Sequence, residues 1–314
     1  MKHLLSRPGA PAGYVLSVAL VVAMTEAAAV VGHRQLLFPE YGALCAGLLV
    51  YRLPQWRAQP VDIVLYPVAA ALIGVMLNRT GLPAEVCWCL SLTAILALLR
   101  VARSVMVPSI SAALLPILLQ FTSFFYPVAV AATTLVLALI TQLGDSSDAR
   151  PAKPTQPSTS LLLSYWVLAA GWGALAIGTG GRYLAAPPIL VAAFELMKTK
   201  GEAATTKAAL LASSCVLGVL FHIAISFWAL GAGLTVIAIA IASRLSKVAA
   251  PPAFALGLLP LLVSSRDQWA YALDASVGTS IVAVAVVAWA RLSRLHPPDA
   301  LIDIPQAAPS HPVS

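Results

Sequence analysis

Charged residues are scarce in this sequence. Lysine, arginine, aspartate and glutamate together make up 10% of its 314 residues, whereas 60% are hydrophobic. Soluble domains usually contain about 25% charged residues. The composition therefore excludes an ordinary water-soluble domain and predicts an integral membrane protein.

The strict alternation of polar and apolar residues that marks a membrane-spanning β-strand is also missing. Runs such as 63–77 and 230–242 are almost continuously apolar. Lipid-exposed backbone must satisfy its own hydrogen bonds, either in helices or in a closed barrel, and continuous apolar runs favour helices. We predict an all-α, polytopic membrane helix bundle.

Clusters of metal-ligating or nucleophilic residues are equally scarce. The four cysteines all lie in apolar runs, and the Cys87-Trp88-Cys89 pair has no second pair to complete a metal site. The charged loops are short basic pairs, without the Asp, His or Lys cluster that membrane enzymes carry. We therefore predict no metal site, no cofactor and no enzymatic activity.

Proline, glycine and charged residues divide the apolar sequence into about twelve segments, of which the second and fifth in each half fall below the 17–25 residues of a spanning helix. These four suit half-helices or re-entrant elements. The predicted segments are 14–32, 39–51, 61–77, 84–101, 108–122, 126–143, 162–180, 187–197, 207–224, 227–244, 252–264 and 270–290.

Basic residues collect on one predicted side of the membrane. With the N-terminus inside, most of them lie in cytoplasmic loops, as the positive-inside rule requires. This predicts a multi-pass protein of a bacterial-type inner (plasma) membrane with both termini cytoplasmic. The net charge of +7 is spread over helix ends, so it does not indicate nucleic-acid binding. The basic residues on the opposite side are Arg34, Arg79, Arg182 and Arg266.

Proline, glycine, tyrosine and basic residues recur at matching positions in the two halves of the chain. Residues 1–143 form a predicted first membrane repeat and residues 161–294 a second one, separated by a polar cytoplasmic linker, 144–160, and followed by a Pro-rich, disordered cytoplasmic tail, 295–314. An even number of crossings per copy predicts parallel repeats, related by an axis along the membrane normal. Pairs of matching residues lie 144–148 positions apart: Arg34 and Arg182, Pro39 and Pro187, Gly74 and Gly218, Arg103 and Lys247, Pro108 and Pro252, Tyr126 and Tyr271.

Three segments of the first copy resemble the HPP family of integral membrane proteins. They are 37–44 (LFPEYGAL), the Ala-Gln-Pro turn at 58–60, and 108–115 (PSISAALL) followed by Tyr126-Pro127-Val128. The resemblance covers most of 14–143 and, more weakly, 162–290. Some members of the family are associated with nitrite transport, so the resemblance implies a small inorganic anion as substrate.

The histidine that names the family is absent from both copies. The His-Pro-Pro motif would fall on 106–108 (MVP) in the first copy and on 250–252 (APP) in the second. The His-Pro-Pro string at 296–298 lies in the polar tail and is a coincidence.

The predicted substrate site lies where proline opens a short helix. Proline is well tolerated in the first turn of a helix, and the N–H groups there carry partial positive charge that favours anions near the membrane midplane. Small residues after the prolines would let a ligand approach the backbone, although they also suit close helix packing. The candidate binding residues are Pro39, Gly42, Pro108, Ser109, Ser111, Pro187, Pro252 and Ala253.

Four charged residues are candidates for other roles. Arg34 and Arg182 occupy matching places outside the first span of each copy, where they would attract anions or gate the mouth. Glu26 and Asp274 lie within predicted spans, where carboxyl groups are costly, and are candidates for proton coupling. Glu40 is expected near the outer mouth.

The sequence leaves three functions open. The first is a transporter or channel for a small inorganic anion. The second is a proton-coupled exporter of small hydrophobic or aromatic molecules. The third is a non-transporting scaffold or enzyme subunit. The predicted partners are the lipid bilayer and a small-molecule or ion substrate, without nucleic acid, and a homo-oligomer stays open.

Overall fold

The computed structural model of the protein describes residues 11–57, 60–144, 156–199, 201 and 203–295. Within these ranges every regular element is helical, which confirms the predicted all-α, polytopic helix bundle. Most of the predicted linker and almost all of the predicted tail lie outside the described residues.

Eight helices in the described ranges are long and apolar enough to cross a membrane. Their number makes the protein a multi-pass membrane protein, with four such helices before the linker and four after it. They are α1 (Pro11–Val31), α4 (Pro60–Asn78), α5 (Ala84–Val101), α7 (Phe125–Gly144), α8 (Thr159–Gly178), α10 (Ala204–Ala224), α11 (Trp228–Ser246) and α13 (Gln268–Leu295).

The four segments predicted to be too short to span alone form short helices. The short helices are α2 (Glu40–Cys45), α6 (Pro108–Leu118), α9 (Pro187–Lys198) and α12 (Pro251–Leu258). The π-helical turn Ala46–Val50 continues α2, and the 3₁₀ turn Leu259–Leu261 continues α12. A single helical turn, α3 (Pro54–Arg57), follows the π-helical turn. Proline stands at or directly before the start of each short helix, because its fixed φ suits the first turn and its missing N–H needs no partner there.

The short helices form the centre of the bundle. All residues of α2, α6 and α12 are buried, and nearly all of α9. Short helices of one half pack against short helices of the other, α2 against α12 and α6 against α9. Long helices of the two halves also pack against each other, α1 against α11 and α5 against α8. The centre of the protein is therefore built jointly by both halves.

Gly74 and Gly218, which the sequence pairs at 144 positions, make the same contact in the two halves. A Cβ on Gly74 would overlap the carbonyl oxygen of Ala113, and a Cβ on Gly218 would overlap that of Gly257. The two carbonyl residues are themselves 144 positions apart. In each half, a long helix therefore approaches a short helix backbone to backbone at a glycine.

The ends of α5 and α11 also correspond. Arg103 (φ 54°) and Lys247 (φ 55°) both adopt the left-handed conformation just after these helices. Left-handed residues are common where helices terminate, and they are usually glycine. Finding a long basic residue in this conformation at both places supports a duplication, which stays a prediction of the sequence.

Candidate functional site

Glu40 lies at the start of α2, in the centre of the bundle. Its exposed fraction is 1%. The prediction that this residue stands near an outer mouth is therefore wrong. The sequence shows only that Glu40 follows a proline, whereas the packing of α2 against α12 and α6 carries the residue inward.

Three side chains from other helices interact with this carboxyl group. The Ser111 hydroxyl, in the first turn of α6, donates a short hydrogen bond to Glu40 Oε1. The hydroxyl groups of Tyr126 in α7 and Tyr271 in α13 interact electrostatically with the same carboxyl. We refer to Glu40, Ser111, Tyr126 and Tyr271 as the Glu40 cluster, which draws on both halves of the chain.

Within the described part of the chain, two oxygen atoms of the Glu40 cluster have no hydrogen-bond partner. They are Glu40 Oε2 and the hydroxyl oxygen of Tyr126. Buried polar groups are normally paired, and each exception requires an explanation. By contrast, Tyr271 donates to the carbonyl of Leu256 at 2.6 Å. The two matching tyrosines thus differ, since only the one in the first half keeps a free hydroxyl.

Aromatic contacts fix both tyrosine rings. Phe38 meets Tyr126 edge-on at 6.0 Å between ring centroids, and Phe121 lies 5.7 Å from the same ring. Tyr183 meets Tyr271 edge-on at 5.6 Å. These are favourable separations for aromatic pairs, so the hydroxyl groups of the cluster are held in place rather than free to swing.

The backbone donors at the helix starts are largely used within the chain. Ser109 N donates to Met106 O at 3.1 Å, Ile110 N to Val107 O at 2.9 Å, and Ala253 N to Ala250 O at 3.0 Å. The predicted site relied on such N–H groups being free. In this conformation, the unpaired polar atoms near the helix starts belong to side chains instead.

The predicted binding residues separate into two groups. Ser111 belongs to the Glu40 cluster. Pro39 directly precedes α2, which carries Glu40, and Pro108 is the first residue of α6, which carries Ser111. Ser109 is buried with an unpaired hydroxyl, but residues two positions apart on a helix face different sides, so we do not count it in the cluster.

Gly42 and the second-half residues give no polar group to the site. A Cβ on Gly42 would lie 2.6 Å from Leu258 Cδ1, so this glycine allows α2 to pack closely on α12. Pro187, Pro252 and Ala253 are buried and apolar. Close helix packing, the alternative stated above, accounts for these four residues.

Arg182 stands at the outer end of a chain of contacts that leads to the Glu40 cluster. It pairs with Asp267 at 3.6 Å and donates to the Tyr183 hydroxyl at 3.2 Å, and its side chain is 44% exposed. Burial raises the pKa of the Tyr183 hydroxyl, while the neighbouring Arg182 acts in the opposite direction. Tyr183 in turn contacts Tyr271 of the cluster. A series of side-chain contacts therefore leads from the exposed Arg182 through Tyr183 to Tyr271 of the cluster, and we call it the Arg182 route.

Arg34, the counterpart of Arg182, has different surroundings. Its guanidinium lies 4.9 Å from the ring centroid of Trp228, and it interacts electrostatically with His222. Such a contact between a cation and an aromatic ring anchors the side chain. Arg34 therefore joins the segment before α2 to the second half of the bundle.

The two acids predicted for proton coupling lie apart from the Glu40 carboxyl. Asp274, one turn after Tyr271 in α13, interacts electrostatically with Tyr183 and so borders the Arg182 route. Glu26, in α1, has one carboxylate oxygen without a hydrogen-bond partner. Neither acid belongs to the Glu40 cluster.

Similarity to known proteins adds nothing to this geometry. No family model, curated protein or solved structure matches the chain. The resemblance to the HPP family is thus carried only by the short motifs quoted above.

Proposed function

We propose that this protein is a membrane transporter for a small inorganic anion, which binds at the Glu40 cluster. One observation carries the proposal: two buried oxygen atoms, Glu40 Oε2 and the Tyr126 hydroxyl, have no hydrogen-bond partner among the residues that the structure describes. Leaving a buried polar group unpaired costs about 1–3 kcal/mol. A ligand that pairs with these groups while it passes explains why they are retained.

A carrier fits the geometry better than an open channel. Glu40 is 1% exposed, so the described conformation offers no wide aqueous path to it. A solute reaches the cluster only when the surrounding helices move. Because the short helices of the two halves contact each other at the centre, rocking of one half against the other would open the cluster to either side.

The choice of an anion rests on Arg182 and on the family resemblance. Arg182 is exposed at the start of the route to Tyr271, where its positive charge would draw anions. The HPP-like motifs of α2 and α6 contribute Glu40 and Ser111, and some members of that family are associated with nitrite transport. Nitrite is accordingly the first substrate to test.

The orientation in the membrane follows from the basic residues. We infer a bacterial-type inner membrane, with both termini cytoplasmic and Arg182 on the opposite face. The positive-inside rule supports this assignment, since most lysines and arginines lie in loops on the same predicted side as the termini.

Replacing Ser111 with alanine tests the substrate site. This change removes the hydroxyl that orients the Glu40 carboxyl, and one hydrogen bond contributes about 1 kcal/mol. We expect nitrite uptake into proteoliposomes to fall about fivefold. The matched control is Ser280→Ala, because the Ser280 hydroxyl bonds only to its own helix, at Ser276 O. Equal uptake by the two variants would contradict a substrate site at the cluster.

A second function, proton-coupled export of small hydrophobic or aromatic molecules, is favoured by a cleft between α1 and α11. Its volume is about 290 Å³, and apolar residues such as Val18, Val236 and Phe254 line it. In this case the proton would be carried by Glu26 or Asp274. We expect Glu26→Gln or Asp274→Asn to abolish pH-driven efflux of a fluorescent aromatic dye if the protein is such an exporter, and to leave nitrite uptake intact if it is the anion carrier.

A further inference from the structure

We propose that the anion and one proton bind together at the Glu40 cluster, so that transport is electroneutral and the proton resides on Glu40. This inference rests on the proposed anion transport, and it specifies how the same site is energised.

The first step concerns the charge of Glu40. Its carboxyl group is almost wholly buried, and no lysine, arginine or histidine of the described residues forms a salt bridge with it. An isolated carboxylate away from water is strongly unfavourable. A negative charge at this place would also repel an incoming anion, so the charged carboxyl and the anion cannot occupy the cluster together.

The second step concerns the donors that remain. Ser111 already donates to Oε1, so a proton on the carboxyl sits on Oε2, which has no partner. A protonated carboxyl has one O–H donor. The Tyr126 hydroxyl, which interacts electrostatically with this carboxyl, supplies a second unpaired donor. Two such donors match the oxygen atoms of a small oxyanion such as nitrite.

The third step excludes other groups as the proton carrier at this place. Helix α2, which carries Glu40, packs against the turn that continues it and against α1, α6, α7 and α12. Neither α6 nor α12 contains a titratable side chain, and α7 contributes only Tyr126. From α1 come Tyr14 and Glu26, and α2 itself carries Tyr41 and Cys45. None of these four side chains forms a hydrogen bond with the Glu40 carboxyl. The remaining hydroxyl, that of Tyr271 in α13, donates to a carbonyl. Glu40 is thus the one carboxyl group that faces the cluster from the described helices.

These steps link the two ligands. Protonation of Glu40 creates the donor that the anion needs, and the bound anion gives that donor its partner, so each ligand raises the affinity for the other. One anion and one proton enter from the same side and leave together on the other. No covalent bond forms or breaks, and the net charge moved is zero.

The experiment measures charge movement during anion uptake by the full-length protein in proteoliposomes. Nitrate and nitrite are the probes, and protein-free vesicles give the baseline, since nitrous acid crosses bilayers unaided. We expect uptake to acidify the lumen with one proton per anion and to be insensitive to a potential imposed with potassium and valinomycin. Uptake that is driven by the potential and moves no proton would overturn the inference while leaving anion transport intact.

A variant sharpens the result. Glu40→Gln keeps the size of the side chain and offers N–H donors, but it cannot exchange a proton. We expect slower uptake that is electrogenic and independent of pH, whereas the control Glu85→Gln, a partly exposed acid in α5, stays electroneutral. Electroneutral uptake by Glu40→Gln would also overturn the inference. If neither the wild-type protein nor any variant moves either anion, the proposed function itself fails.

Discussion

Replacing Gly218 with alanine should prevent the protein from packing correctly. The added Cβ would overlap the carbonyl oxygen of Gly257, and neither backbone can yield without shifting α10 or α12. Overpacking usually costs 1–3 kcal/mol, and contact with backbone falls at the upper end, so we expect a melting temperature in detergent lower by about 5 °C. Gly74→Ala should have the same effect, because its Cβ would meet Ala113 O.

Gly171→Ala provides the matched control for this prediction. Gly171 is also inside a long helix, but a Cβ at this position meets nothing within 4 Å. Alanine is the better helix former by roughly 0.5–1 kcal/mol. The control should therefore be as stable as the wild-type protein or slightly more so. A Gly218→Ala protein as stable as this control would refute the close approach of α10 and α12.

Reversing the charge of Arg182 should reduce anion uptake at least about tenfold at low ionic strength. Charged mouths raise the association rate of oppositely charged solutes by factors of ten or more. The loss should shrink as salt is added, because about 0.1 M salt screens charges beyond roughly 10 Å. We would measure initial uptake rates of Arg182→Gln and Arg182→Glu over a range of salt concentrations, and we expect the charge-reversed variant to be the slower.

Arg79→Glu separates attraction at the mouth from a general change of surface charge. Arg79 lies on the same predicted side, yet its guanidinium packs over Phe124, whereas that of Arg182 packs over Tyr183. The exposed ion pair of Arg182 with Asp267 is worth at most about 1 kcal/mol, so its loss should leave the protein folded. Equal losses of anion uptake in the Arg79 and Arg182 variants, or a loss that does not depend on the salt concentration, would argue against the route through Tyr183.

The positions of the helices were predictable because hydrophobicity and proline act locally. Apolar length distinguishes a helix such as α4 from a short one such as α6, and proline marks where α6, α9 and α12 begin. Both signals are present in the sequence within a single segment. The orientation is predicted from the distribution of basic residues among the loops and stays a prediction.

The candidate site was predicted less well, since it depends on contacts between distant segments. The rule about helix starts selected Ser111 but overestimated the free backbone donors, because turns before the helices accept from them. Glu40 was expected near the outer mouth, whereas the pairing of α2 with α12, about two hundred residues later in the chain, buries it. The matched tyrosines at 126 and 271 were visible as a repeat pair, but their proximity to Glu40 was not.

The packing of short helices of the first half against those of the second has a consequence for biogenesis. When α2 leaves the ribosome, its main packing partner, α12, has not yet been synthesised. Glu40, on a helix too short to span the membrane, must then remain in contact with lipid or with the insertion machinery until the second half has been synthesised. The first half is thus not a finished unit on its own, and its maturation depends on the last third of translation.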